Sequence, residues 1–151
     1  MARRESGFTL VEALIAIVVL MFGLVAIAQL FVVASQSNVT ARRATAAANA
    51  SSQVMDMLMA APFDALATGG GVTDADMKST GAPESFAVTN YKLRQNVPGV
   101  GEVLTCWHIG LVSGNTELVA IQVRSEAVGL MSALSRAEFT TLRAKVDRPG
   151  A

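Results

Sequence analysis

The chain has 151 residues, of which 52% are hydrophobic and 16% charged, and it carries no net charge at neutral pH. That length bounds it to one modest domain plus a membrane segment, and the balanced charge leaves no basic surface large enough for obligate nucleic-acid binding. The single cysteine, Cys106, excludes an intrachain disulfide. Residues 1–7 form a short polar leader with Arg3 and Arg4, and an apolar run follows to about Ala34. One carboxylate, Glu12, stands near the start of that run. A charge inside a membrane-length apolar run costs about 2.5–3.5 kcal/mol at mid-bilayer and less toward the interface, so such a residue is a functional candidate. Residues 13–33 carry no charge, and only Gln29 among them is strongly polar. At about 1.5 Å per residue they span roughly 30 Å, the thickness of a bilayer core. Gly23 is a mild weak point in this helix.

The helical pattern continues beyond the apolar run through residues 35–61. Ala47, Ala50, Val54, Met57 or Leu58, and Ala61 recur at spacings of three and four, which predicts an amphipathic half packed on a sheet. Pro62 ends the helix, because it lacks a donor and restricts the residue before it. Residues 62–84 read as a connector, with Gly69-Gly70-Gly71 flexible and residues 73–76 and 79–83 as turn material. Residues 85–147 read as an antiparallel sheet. A strand is expected over residues 85–93. A second, over 103–112, places Val103, Thr105, Trp107, Ile109 and Leu111 on one face. Ser113-Gly114-Asn115 is expected to turn it into a third over 116–125, the best hairpin in the chain. Residues 126–137 are a short helix or a packed loop, 139–146 form the last strand, and 148–151 are a frayed tail.

Motifs for chemistry are missing. Gly69-Gly70-Gly71 lacks the Gly-Lys-Ser/Thr of a phosphate loop. Asp64, Asp74 and Asp76 lack the glycine and closing glutamate of a calcium loop. His108 is the only histidine, and with Cys106 on the same strand face it gives two ligands, too few for structural zinc. The same pair has no third group to orient a base, so no catalytic residue is assigned. No enzyme activity, cofactor or metal is expected. Trp107 reads as a core aromatic. Cys106 is either a buried small hydrophobe or an intermolecular thiol.

Gly7-Phe8-Thr9-Leu10-Val11-Glu12, with the basic leader before it and the apolar run after it, resembles the class III signal of type IV pilins and type II secretion pseudopilins. The long N-terminal helix and the strand-rich remainder extend the resemblance. It implies that a prepilin peptidase cuts after Gly7, that Phe8 becomes the N-methylated terminus, and that Glu12 is the filament-assembly glutamate. The bare residues permit two other readings. Thr9 and Glu12 fit a capping box, with the Glu12 carboxylate favoured by the helix dipole. Val32-Val33-Ala34 fits a secretory cleavage site, although the early acid and the length of the apolar run argue against it.

The expected fold is α+β and pilin-like: residues 8–34 as the transmembrane half of one long helix, 35–61 as its amphipathic half, and a small antiparallel sheet. The resemblance is closest to the type IV pilus modification (PilV-type) minor pilins, with residues 57–63 suggesting that subgroup. It departs from many pilins in lacking a C-terminal disulfide, and from many major pilins in lacking a proline within the apolar segment. The implied function is that of a minor pilin in pilus assembly, priming or modification, serving adhesion or motility. A type II secretion minor pseudopilin is the close alternative, and a membrane-anchored periplasmic module without a filament role is the alternative of another class. Implied partners are prepilin peptidase, other pilins or minor pilins through the N-terminal helix, the inner-membrane assembly platform and the lipid bilayer, with no nucleic acid. The implied location is the inner membrane, single-pass, with the leader cytoplasmic and the head periplasmic, then the pilus or pseudopilus. Charge orients the anchor weakly, because Arg42 and Arg43 flank the apolar run on the side opposite Arg3 and Arg4.

Overall fold

The computed structural model describes residues 9–78, 81–113, 116–129 and 132–145, and the chain divides into two compact units, Met1–Asn38 and Val39–Ala151. One helix, α1 (Leu10–Ala60), runs through 51 residues. It starts after Thr9 and stops two residues before Pro62, and Ala61 still donates to Met57 O at 3.1 Å. In the first unit its described side chains are largely exposed, including Ile15, Met21, Phe22, Leu30 and Phe31. The helix is long and apolar enough to cross a membrane.

In the second unit α1 acquires a buried stripe of Ala46, Ala47, Ala50, Ser51, Val54 and Leu58. The expected alternation between Met57 and Leu58 resolves to Leu58. The stripe packs on an antiparallel sheet built from β1 (Gly69–Gly70), β2 (Lys92–Val97), β3 (Gly101–Leu111), β4 (Leu118–Ala127) and β5 (Arg136–Ala144). β3 is central. β4 runs along one edge with β5 outside it, while β2 and then β1 share the other edge. Alternation sends Val103, Thr105, Trp107 and Ile109 of β3, and Val119, Ile121, Val123, Ser125 and Ala127 of β4, to the helix side, and all are buried. Leu111, expected on the same face, lies at the strand end and is mostly exposed. The α+β architecture with one long helix on a small antiparallel sheet is as the sequence predicts.

Three elements differ from the sequence expectation. The strand expected over residues 85–93 is displaced: Val88–Asn90 is a single 3-10 turn, and the strand begins at Lys92. The hairpin that forms there joins β2 to β3 around Gly99, whose φ of 77° favours glycine. The connector is structured. Its Gly69 and Gly70 pair with Ile109 and His108, and Asp74–Lys78 forms a short helix, α2. The last strand starts three residues early, at Arg136. The strands of the expected hairpin form β3 and β4, pairing Leu111 with Val119, whereas Gly114 and Asn115 of its turn lie outside the described residues. Between β4 and β5, Ser132–Ser135 is a 3-10 turn; Leu130 and Met131 lie outside the described residues.

Candidate functional site

The start of α1 carries the residues singled out by sequence. Gly7 and Phe8 lie outside the described residues. Thr9 stands just before the helix, in the N-cap position. Its carbonyl accepts from Glu12 N at 3.1 Å and from Ala13 N at 3.2 Å. Its hydroxyl Oγ1 also accepts from Glu12 N, at 3.3 Å. The bond from Ala13 is the first regular helical one, and the Thr9 oxygens satisfy the Glu12 amide, a donor that the first turn leaves without a partner four residues back. One arm of the capping box is therefore formed. The Glu12 carboxylate itself is exposed, and among the described residues it makes no hydrogen bond or ion pair. It stands among Leu10, Val11, Leu14 and Ile15, all exposed. An anion in this position is favoured by the positive end of the helix dipole. It is also the only charge on the described part of α1 before Arg42.

The remaining candidates do not converge. Asp64 faces Lys145 at 3.7 Å. Asp74 is held by Arg124 and by Arg136, the latter at 3.0 Å. The Arg124 hydrogen bond, and the charges of Arg124 and Arg136, hold the Asp74 carboxyl below the usual carboxylate range. Asp76 accepts from the Thr73 hydroxyl at 2.6 Å and the Thr73 amide at 2.9 Å, which holds its carboxyl low as well. Among the described residues no group of three or more His, Cys, Asp or Glu side chains is arranged to hold a metal ion.

Cys106 and His108 do share a strand face, the one turned away from α1. There β1 and the chain after it lie against them. His108 Nδ1 lies 3.0 Å from Gly70 O, and Cys106 Sγ lies 3.8 Å from Asp76 O. Burial pushes the Cys106 thiol up to about 11, so it is protonated and inert at neutral pH. Trp107 points to the opposite face as a core aromatic, with Nε1 donating to Val88 O at 3.0 Å and its ring 5.5 Å from that of Phe86.

Sequence reading missed Arg124. It sits in the alternation of β4 where a solvent-facing residue is expected, yet it is buried. It donates to Val72 O at 2.7 Å, to Asp74 and, at 3.5 Å, to Glu126. These bonds fasten residues 72–78 to the outer face of the sheet. The only sequence signal was an arginine flanked by Val123 and Ser125, and nothing local distinguishes it from an exposed one.

Among the described residues the first turn of α1 is the chemically distinctive feature, and it lies within the one stretch that resembles a known family. A family model described as the prokaryotic N-terminal methylation motif matches residues 2–28. No curated protein and no solved structure matches the chain. A motif of this kind implies processing by prepilin peptidase and assembly with other pilins, and with the apolar helix behind it is consistent with inner-membrane anchoring. The match supports a type IV pilin-like or pseudopilin protein.

Proposed function

We propose that the chain is a minor pilin of a type IV pilus, a subunit that takes part in assembling, priming or modifying the filament. The observation that carries this reading is the juxtaposition of the methylation motif over residues 2–28 with a helix whose described apolar half is exposed while its second half supports a sheet. An isolated soluble protein has no use for an exposed stripe of that length, whereas a bilayer or a bundle of like helices covers it.

On this reading prepilin peptidase cuts between Gly7 and Phe8 and the Phe8 amine is methylated. Residues 8–34 hold the chain in the inner membrane, with the leader cytoplasmic and the head periplasmic. Glu12 then serves assembly. The mature terminus carries a positive amine, and a carboxylate four residues along can neutralise an amine, its own or a neighbour's, inside an apolar filament core. An unpaired charge there is costly, and a well-formed pair recovers part of that cost.

Intact-mass measurement of the chain from membranes, with and without prepilin peptidase, tests the reading. The expected product begins at a methylated Phe8 and depends on the peptidase. A mature terminus at Ser35 overturns it in favour of a secretory signal. Peptidase-dependent processing with co-purification of a secretion apparatus, and not of pilus proteins, overturns the pilus assignment alone.

A further inference from the structure

Full burial on α1 begins at Ala46, and before it in the second unit Thr40, Arg43 and Ala44 are half-buried while Ala41 and Arg42 are exposed. Between Glu12 and Asp56 the chain has no acid at all, and its only charges there are Arg42 and Arg43. Arg43 is half-buried. Arg42 is exposed, and among the described residues it takes part in no ion pair or hydrogen bond.

We propose that Arg42 is a lipid contact: its guanidinium binds the phosphate of an anionic phospholipid headgroup and fixes the depth of the helix in the membrane. The proposal rests on the membrane-anchor reading of residues 8–34. Arg42 lies nine residues past Val33, or about 13.5 Å along a helix. Side chains on a helix lean toward its N-terminus, here toward the membrane, so a long one covers roughly the preceding turn. The guanidinium therefore reaches to about 7–8 Å beyond the apolar end. The headgroup layer on each side of a bilayer occupies about 5–7.5 Å, the difference between the apolar thickness and the whole. An arginine just beyond an apolar run can lay its aliphatic stem along the helix and place its charged head at that level. Its planar fork suits the oxygens of a phosphate better than the ammonium of a lysine does. The missing acids leave no competing partner along this stretch of helix.

The test uses the full-length chain reconstituted into vesicles of phosphatidylcholine alone or of equal parts phosphatidylcholine and phosphatidylglycerol, followed by mass measurement of the lipid retained in mild detergent. The expected result is preferential retention of phosphatidylglycerol, weakened by salt and reduced about fivefold in Arg42→Gln. Arg42→Lys should keep part of the preference. Melting of the sheet, followed by circular dichroism, should be unchanged in both variants. If Arg42→Gln retains phosphatidylglycerol as the parent does, the proposal is overturned while the anchor stands. It is overturned equally if, in a parallel purification from native membranes, the variant keeps that preference and instead loses co-purifying proteins, which would assign Arg42 to a partner's carboxylate. Failure of the parent chain to enter vesicles of either composition overturns the anchor reading and this proposal with it.

Discussion

Thr105 and Ser125 face each other across β3 and β4, hydroxyl to hydroxyl at 2.7 Å, and both are fully buried. They divide the core. On one side Val54, Trp107 and Val123 belong to the large apolar cluster; on the other Ala50, Val103 and Ala127 belong to a smaller one. Buried Ser51 of α1 donates to Ala137 O at 3.4 Å, and Ala137 pairs with Ser125, so polar groups of helix and sheet meet at this level. Removing one hydroxyl strands its partner, which costs about 1–3 kcal/mol, whereas removing both is close to neutral. Thr105→Val is therefore expected to lower stability by about that amount, and Thr105→Val with Ser125→Ala to recover most of it. Urea unfolding of the parent, both single variants and the double variant measures the coupling. Additive losses would show that the two hydroxyls do not act as a pair.

Gly70 and Gly99 share a φ of 77° but have different neighbours. A Cβ on Gly99 would meet nothing within 4 Å. One on Gly70 would meet Trp107 O and the Tyr91 ring, all closer than 3.0 Å. Gly99→Ala thus isolates the backbone cost of a left-handed residue, about 1–2 kcal/mol. Gly70→Ala adds a clash with a main-chain carbonyl that no rotamer change relieves, and a loss of more than about 3 kcal/mol is expected. Thermal melts of the two variants side by side check this. Equal losses would mean that β1 detaches at little cost.

The hold of Arg124 and Arg136 on Asp74 gives the fold a dependence on acid. The Asp74 carboxyl is held below its ordinary value in the folded state, so its contribution is complete above the unfolded value of about 3.9. It is lost as pH falls from there through the folded value. Asp74 is largely exposed, so the effect is modest. Asp74→Asn should melt below the parent at pH 7 and at pH 5 by a similar margin, and the two should converge below about pH 4. A margin unchanged down to pH 3 would assign the effect to hydrogen bonding and not to charge.

The long helix was legible because its signals are local. An apolar run of membrane length, a spacing of three and four from Ala47 to Leu58, and Pro62 as a stop all lie within a few turns of one another. β3 and β4 were legible for the same reason, since alternation marks each strand. The covered outer face of the sheet was not. It depends on residues 69–78 returning to residues 104–126, and two glycines in a strand carry no side chains whose alternation could announce it. Arg124 was missed because β4 alternates as a strand with one wet face does, while the segment at residues 72–78 covers that face. The displaced first strand was an error of period: the apolar pattern of Phe86 and Val88 supports Trp107 from a turn, and Pro98-Gly99 marks the hairpin that leads from the strand beginning at Lys92 into β3. In the candidate site, the resemblance supplied roles for Gly7, Phe8 and Glu12 that no spacing rule contains, while the Thr9 cap follows from spacing alone.

That division makes Thr9 and Glu12 a matched pair for experiment. Both act at the first turn of α1, where Thr9 caps the Glu12 amide, but only Glu12 brings a charge. If the first turn matters solely as a helix end, Thr9→Ala removes its cap at a cost of about 1 kcal/mol, and Glu12→Ala removes a dipole partner worth no more. Both variants then assemble with equal, mild defects. If the carboxylate neutralises an amine in a filament core, the two separate. Glu12→Ala should still be cut after Gly7 and should enter the membrane at least as readily, because an apolar run without a charge partitions better. It should fail to co-purify with filament partners, and Thr9→Ala should not. Glu12→Gln sharpens the comparison, since it keeps the size and hydrogen-bonding capacity of the side chain without its charge. Assembly restored by glutamine would remove charge neutralisation as the explanation and leave a hydrogen bond in its place.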